Sequence, residues 1–140
     1  AAVGAAYMLG KGVDKNEQKG VDMLKGACEK NGAKACEFYA RAYERGITVA
    51  PDPVQFTTLM EKACSLGAGD ACASRALKFD VADPARIPFL EKSCELKSAM
   101  GCTGLGAAYL RGGQGAPQDE AKGKELLKKA CDLGNTKACE

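Results

Sequence analysis

The cysteines of this 140-residue chain constrain its fold more than any other feature. Each of the eight belongs to a pair with seven residues between the partners, and successive pairs begin 36, 30 and 37 positions apart. A period of this size is typical of stacked helical repeats. Regular spacing and an even number predict disulfides, which persist in oxidising compartments. The pairs are Cys28 and Cys36, Cys64 and Cys72, Cys94 and Cys102, and Cys131 and Cys139.

Composition narrows the range of functions. The chain has 20 basic and 18 acidic residues, so it lacks the basic excess of a nucleic-acid-binding surface. No apolar stretch approaches the roughly 20 residues of a membrane span. Histidine, the commonest general base and metal ligand, is absent. We therefore expect no nucleic-acid partner, no membrane span, no cofactor and no metal.

A repeated pattern follows the second cysteine of each pair. A small residue stands four positions after it and an aromatic residue seven positions after it, which predicts a helix with one face packed closely on a partner. In two full copies a glycine at the tenth position is expected to end this first helix, at Gly46 and Gly112. The small residues are Gly4, Ala40, Ala76 and Gly106, and the aromatic residues are Tyr7, Tyr43, Phe79 and Tyr109.

A second helix in each copy is predicted to begin after an Asx-type cap and to run to the first cysteine of the next pair. The fold class is therefore all-α, an α/α-hairpin solenoid in a single domain, with approximate repeats 1–35, 36–71, 72–101 and 102–138. Proline at the first helical position supports two of these starts, at Pro53 and Pro84. The predicted caps are Asn16, Asp52, Asp83 and Asp119.

The third copy is six residues shorter than the first full one. We expect the loss in the loop after its first helix, where Val81 and Ala82 alone would precede the cap at Asp83, and an altered superhelical angle there. Pro88 falls early enough in the second helix to remove only one backbone hydrogen bond.

The spacing of the cysteines favours local disulfides. Two cysteines eight positions apart on one continuous helix would lie about 12 Å apart, which exceeds the roughly 7 Å that a disulfide allows between Cα atoms. A turn between two antiparallel helices would bring them together. Zinc binding and redox catalysis fit less well, because the chain has neither histidine nor a Cys-x-x-Cys motif.

The segment Leu105-Gly106-x-x-Tyr109-x-x-Gly112, followed by Asp119 and then Lys129-Ala130-Cys131, resembles the Sel1-like repeat. The added Cys-x7-Cys pairs resemble the Helicobacter cysteine-rich proteins. The resemblance implies disulfide-linked hairpins in a right-handed superhelix similar to tetratricopeptide arrays, and a role as a protein-interaction adaptor. It also implies a secreted or periplasmic location, with the mitochondrial intermembrane space as an alternative.

A concave groove is the predicted binding site, because first helices line the inner surface of stacked helix pairs. The expected ligand is a protein or an extended peptide segment. Three of the five arginines fall on this surface, and arginine suits peptide carboxylates and backbone carbonyls. The predicted ligand-binding residues are Met8, Leu9, Phe38, Arg41, Glu44, Arg45, Ser74, Leu77, Leu110 and Arg111.

Two other functions remain open. Some relatives in the cysteine-rich branch are described as penicillin-binding proteins or weak β-lactamases, but the required Ser-x-x-Lys motif is absent. Ser74 and Ser93 are followed by Lys78 and Lys97 one position too late. The other alternative is a structural spacer that separates domains within a longer array. The chain itself is expected to be a segment of a longer array, and end-to-end stacking with itself is the alternative to that expectation.

Overall fold

The computed structural model describes residues 17–139, which form seven α-helices and one 3-10 helix and contain no β-strand. This confirms the predicted all-α class. The chain divides into two compact units between Ala68 and Gly69. The first unit contains α1 (Glu17–Glu29), α2 (Ala33–Arg45) and α3 (Pro53–Ser65). The second contains α4 (Gly69–Ala76), α5 (Arg86–Glu95), α6 (Ala99–Arg111), α7 (Glu120–Asp132) and the 3-10 helix Thr136–Cys139. The predicted features at Gly4, Tyr7, Met8, Leu9 and Asn16 lie outside the described residues.

In the first unit, α2 packs against both α1 and α3. Leu24 of α1 and Met60 of α3 are fully enclosed. Ala40 on α2 is also fully buried, as expected for the small residue four positions after the second cysteine. The Lys62 ammonium donates to the Cys28 carbonyl oxygen at 3.1 Å, which ties the end of α3 to the end of α1. Between residues 17 and 139, no helix is both long and apolar enough to cross a membrane.

In the second unit, each helix packs on the next along the chain, and α4 also contacts α6. The first helices of successive repeats therefore lie side by side. The apolar core between them is built from Ala76, Ile87, Leu90, Leu105 and Ala108.

Glycine allows α6 and α7 to approach each other closely in this unit. A Cβ on Gly106 of α6 would lie 3.1 Å from the Gly123 carbonyl oxygen on α7. A Cβ on Gly123 would lie 2.8 Å from the Leu110 backbone nitrogen. The small residue at the fourth position therefore sets the helix spacing here, as its position in the repeat predicts.

Helix ends follow the sequence signals at several predicted places. The Asp52 carboxylate accepts hydrogen bonds from the backbone N–H groups of Val54 and Gln55, with Pro53 at the first helical position. Asp119 caps α7 in the same way through the N–H of Lys122. Gly46 and Gly112 end α2 and α6 with a φ of 70°, in the left-handed region that glycine adopts without strain.

Replacing Asp52 with alanine is expected to lower the free energy of unfolding by about 1 kcal/mol, because two N–H groups lose their acceptor. Asp52→Asn should remain close to the wild type, since asparagine caps equally well. Urea denaturation of the three proteins, followed by circular dichroism, measures the difference. Equal losses in both variants would assign the effect to charge rather than to the cap.

The predicted cap at Asp83 is wrong. Helix α5 begins three residues later, at Arg86, and its N-terminal neighbour Ala85 makes no side-chain cap. The Asp83 carboxylate instead accepts from the N–H of Ala85 within the preceding turn. Pro84 lies in that turn and not at the first helical position. The sequence resembles a cap because an Asx residue and a proline stabilise turns as well as helix starts.

The shortening of the third copy also differs from the expectation. Its first helix, α4, has 8 residues, whereas α2 and α6 each have 13. The chain leaves the helix at Leu77, and the following loop up to Ala85 is longer than the loop after α2. The second helix is shorter as well, since α5 has 10 residues where α3 has 13. The Arg75 guanidinium lies 4.1 Å from the centre of the Phe79 ring, and Phe79 stacks on Phe89. These contacts hold the loop after α4 against α4 and α5.

All eight cysteines are disulfide-bonded. Disulfides join Cys28 to Cys36, Cys94 to Cys102 and Cys131 to Cys139, with Cα–Cα distances of 4.6, 4.5 and 5.0 Å. Cys64 and Cys72 are bonded as well. The Cys28–Cys36 and Cys94–Cys102 bridges join the end of one helix to the first turn of the next, as the seven-residue spacing predicts, and the Cys131–Cys139 bridge joins the end of α7 to the last residue of the 3-10 helix.

Candidate binding groove

The second unit carries an open groove of about 520 Å³. Its walls come from the neighbouring first helices α4 and α6, from α5, and from the turn that precedes the 3-10 helix. This volume lies within the range of known ligand sites. The lining residues are Ala73, Leu77, Arg86, Leu90, Ala99, Met100, Thr103, Gly104, Leu133, Gly134 and Asn135.

Two large apolar side chains in this groove are open to solvent. Leu77 is 64% exposed and Met100 is 45% exposed. Leu77 is exposed because α4 ends at Ala76, so the side chain stands in the turn beyond the helix. Leu90 also lines the groove, and most of its side chain is buried in the core. The groove therefore offers apolar surface on a rigid support.

Polar groups occupy separate places in the groove. The Asn135 amide donates to the Thr103 hydroxyl at 2.7 Å, which leaves the hydroxyl hydrogen of Thr103 and the carbonyl oxygen of Asn135 for other partners. Arg86 is the only ionisable residue among those that line the groove. The arrangement can hold an apolar side chain and can hydrogen-bond a polar backbone beside it.

Of the predicted ligand-binding residues, Leu77 lines this groove, and Leu110 and Arg111 line an adjoining recess of about 290 Å³. Thr103 and Asn135 line both cavities, so the two lie next to each other at that point. Ser74, in contrast, is buried and lines neither cavity.

Four predicted ligand-binding residues lie on α2 in the first unit. Glu44 and Arg45 are exposed, and Phe38 is half-buried. Arg41 donates to the buried carboxylate of Glu37 at 3.2 Å, so part of its role is structural. Replacing Arg41 would leave a buried carboxylate without this partner, so an alanine there is expected to lower stability as well as to remove a predicted ligand contact.

The same helix carries a tyrosine pair. The hydroxyl groups of Tyr39 and Tyr43 lie 3.3 Å apart, and their ring centres are separated by 5.3 Å. Burial, together with the hydrogen bond to Tyr43, raises the pKa of Tyr39 to about 12. Tyr39 therefore stays neutral at physiological pH and packs on α2 without adding charge.

The serines considered for acyl-enzyme chemistry are enclosed. Ser93 is fully buried, and its hydroxyl donates to the Gly69 carbonyl oxygen at 2.7 Å. Lys97 stands beyond the end of α5, in a turn where its φ is 64°. Ser74 is buried and has a partner of its own. Neither serine presents a solvent-accessible nucleophile.

The sequence model of the Sel1 repeat matches residues 1–32, 20–47, 33–67 and 99–135, which together make up more than half of the chain. The chain belongs to the Sel1 repeat family. One matched range, 99–135, contains both α6, the first helix that lines the groove, and α7, the second helix of the same repeat. Among curated proteins, no match to this chain is found.

Solved structures share this Sel1 fold. A Sel1 repeat protein from Oxalobacter formigenes matches with a TM-score of 0.89 and 22% identity, over 98% of this chain and 58% of that one. A protective antigen of uropathogenic Escherichia coli, described as having an SLR fold, gives 0.82 and 20%, over 98% and 31%. Cysteine rich protein B of Helicobacter pylori gives 0.65 and 24%, over 85% and 94%. This chain thus spans about three-fifths and one-third of the first two proteins.

Several groove residues were missed in the sequence. Thr103 and Gly104 stand one and two positions after Cys102, and the repeat register places both on the inner face. Neither has the large or charged side chain that marks a ligand contact in the sequence. Arg86 had no such signal, because it belongs to a second helix. Met100 and Asn135 lie two and four positions before the second cysteine of their pairs, where the repeat pattern predicts core or turn residues.

Proposed function

We propose that this Sel1 repeat protein is a non-catalytic scaffold that binds an extended peptide or protein segment in the groove between α4 and α6. The Sel1 repeat fold favours a protein-interaction scaffold in general. The observation that carries the proposal is the exposure of Leu77, in the turn after α4, and of Met100, on α6, beside a Thr103–Asn135 hydrogen bond.

Exposed apolar side chains at the centre of a concave site are the usual anchors of a protein contact. Here Leu77 and Met100 would pack against an apolar side chain of the ligand. The free hydroxyl hydrogen of Thr103 and the carbonyl oxygen of Asn135 would pair with backbone groups, which an extended segment leaves unpaired. Arg111 and Leu110 in the adjoining recess would continue the contact along the ligand.

The location that fits this scaffold is oxidising, in the periplasm or outside the cell. Disulfide bonds at all eight cysteines support this proposal, since such bonds are reduced in most cytosols. A mitochondrial intermembrane location satisfies the same chemistry. Disulfide-bonded sulfurs are not thiolates, so the bridges also remove the ligands that zinc would require.

The Leu77→Glu substitution is expected to weaken peptide binding at least tenfold. It places a charge in the apolar contact, and the fold should tolerate it because the side chain is already mostly exposed. The test selects binders from a random display library of twelve-residue peptides on the oxidised protein. The affinity of the selected peptides is then measured by calorimetry for the wild type and the variant.

Val54→Glu is the matched control, since Val54 is 73% exposed on α3 of the other unit and lies outside the groove. It should leave the affinity unchanged. Selected peptides that bind Leu77→Glu as tightly as the wild type would place their site elsewhere. A library that yields no binder at all would favour the spacer function.

A further inference from the structure

Arg86 stands out in the second unit because its charge is buried. The residue is 7% exposed, although it lines the groove. One terminal nitrogen, Nη1, donates to two backbone carbonyl oxygens, that of Val81 at 2.8 Å and that of Gln114 at 3.1 Å. These bonds tie the loop after α4 to the loop after α6. They fix the guanidinium in place before any ligand arrives.

The charge of Arg86 is not matched inside the protein. In the described part of the chain no carboxylate forms an ion pair with it, and its two acceptors are neutral carbonyls. A buried cation without an anion is costly, and an incoming carboxylate relieves that cost.

The remaining N–H groups of Arg86, on Nε and Nη2, have no hydrogen-bond partner among the described residues. Across residues 17–139, the one fully enclosed side-chain atom without a partner is Oε1 of Glu37, in the other unit. The N–H groups on Nε and Nη2 are therefore unpaired without being fully enclosed, and the residue lines the groove. Such groups form the planar fork that binds a carboxylate with two parallel hydrogen bonds.

The residues that line the groove around Arg86 indicate what kind of molecule would carry this carboxylate. Leu77, Leu90 and Met100 make the groove apolar around the single cation. A small inorganic anion would leave those surfaces wet, whereas a carboxylate attached to an apolar residue covers them. Thr103 and Asn135 offer a donor and an acceptor for a backbone next to it.

We propose that the groove recognises a peptide carboxylate beside an apolar side chain, with the carboxylate on Arg86 and the side chain between Leu77 and Met100. This inference rests on the proposed function and specifies its ligand. The carboxylate comes either from the C terminus of the peptide or from an internal Asp or Glu, and the test separates these two sources.

The probes are three acetylated peptides of the same length: Ala-Ala-Ala-Leu-Leu with a free C terminus, the same peptide with a C-terminal amide, and Ala-Ala-Asp-Leu-Leu amide. Calorimetry on the oxidised full chain is expected to show at least tenfold tighter binding of one carboxylate peptide than of the neutral amide. Tighter binding of the free-acid peptide would assign the carboxylate to the C terminus, and tighter binding of the Asp peptide would assign it to an internal side chain. In Arg86→Met the preference should shrink to less than threefold.

Because Arg86 also holds two loops, its replacement can disturb the fold. Met100→Glu supplies a second test, since Met100 is exposed and its replacement puts a competing anion in the groove. It should weaken the carboxylate peptide at least fivefold more than the neutral peptide. Met100→Gln is the neutral control and should leave the ratio between the two peptides unchanged.

The outcomes separate the two proposals. Equal binding of all three peptides, weakened by Leu77→Glu, would overturn the carboxylate site and leave the groove scaffold standing. A carboxylate preference that persists in both Arg86→Met and Met100→Glu would also overturn it. Absence of binding to the groove by any of these peptides and by the selected library peptides would overturn both.

Discussion

Replacing Cys94 and Cys102 together with alanine is expected to lower the free energy of unfolding by about 2.5 kcal/mol. The bridge closes a loop of about nine residues, and the chain-entropy model assigns roughly this value to such a loop. Both cysteines are buried and belong to the cluster with Ala130. Loss of the bridge therefore lets the α5–α6 turn open at a place where the core depends on it. Urea denaturation under non-reducing conditions, followed by circular dichroism, measures the change.

The Cys131–Cys139 bridge is the matched control, since it closes a loop of the same length. It attaches only the 3-10 helix Thr136–Cys139, which contains no buried residue. The corresponding double alanine variant should lose less than about 1 kcal/mol, because this terminal segment covers the core only through the partly buried Ala138 and can open locally. Equal losses in the two variants would mean that loop closure alone decides the effect and that burial plays no part.

Much of the fold could be predicted because the repeat carries several independent signals. The cysteine spacing defined where each hairpin turns, and Asp52 and Asp119 marked two helix starts. Gly46 and Gly112 marked two helix ends. The prediction failed in the third copy, where no glycine stands at the tenth position and Asp83 begins a turn instead of a helix. Local signals of turns and helix starts overlap, and tertiary contacts around Phe79 decided between them.

The groove was harder to predict than the fold. The repeat register located Leu77, but it could not show that α4 ends early and leaves this side chain exposed. The register also drew attention to arginines on first helices, of which Arg41 proves to pair with Glu37. Arg86 reaches the groove from the first turn of α5 through bonds to two loops that are distant in sequence. Such contacts depend on loop conformation, which no periodic pattern encodes.

The same irregular copy contains a compensating pair in its core. In the other three copies, alanine precedes both the first and the second cysteine. In the third copy Ser93 precedes Cys94, and Gly101 precedes Cys102. A Cβ on Gly101 would collide with the hydroxyl and the Cβ of Ser93, and would lie 2.8 Å from the backbone nitrogen of Cys94. The larger serine is thus accommodated by the missing side chain of the glycine.

Replacing Gly101 with alanine is therefore expected to lower the free energy of unfolding by about 3 kcal/mol, the upper part of the range for overpacked cores. The collision outweighs the roughly 1 kcal/mol that alanine gains over glycine within a helix. Gly104→Ala, on the same helix, is the control. Its Cβ would meet only the flexible end of Leu90, at 3.0 Å, so its effect should stay within about 1 kcal/mol of zero. Urea denaturation of both variants measures the difference.

A double-mutant cycle then tests whether Ser93 is the cause. Ser93→Ala alone should cost about 1 kcal/mol, because it removes the hydrogen bond to the Gly69 carbonyl oxygen. Combined with Gly101→Ala, it recreates the Ala–Ala arrangement of the other three copies and removes the contact with the hydroxyl, so that only the Cβ of residue 93 and the Cys94 backbone have to shift. The double variant should therefore be more stable than Gly101→Ala, with a coupling of about 2 kcal/mol, which is typical of directly contacting residues. Strictly additive losses would instead assign the strain to the contact between the new Cβ and the Cys94 backbone, and would show that the hydroxyl of Ser93 is not its cause.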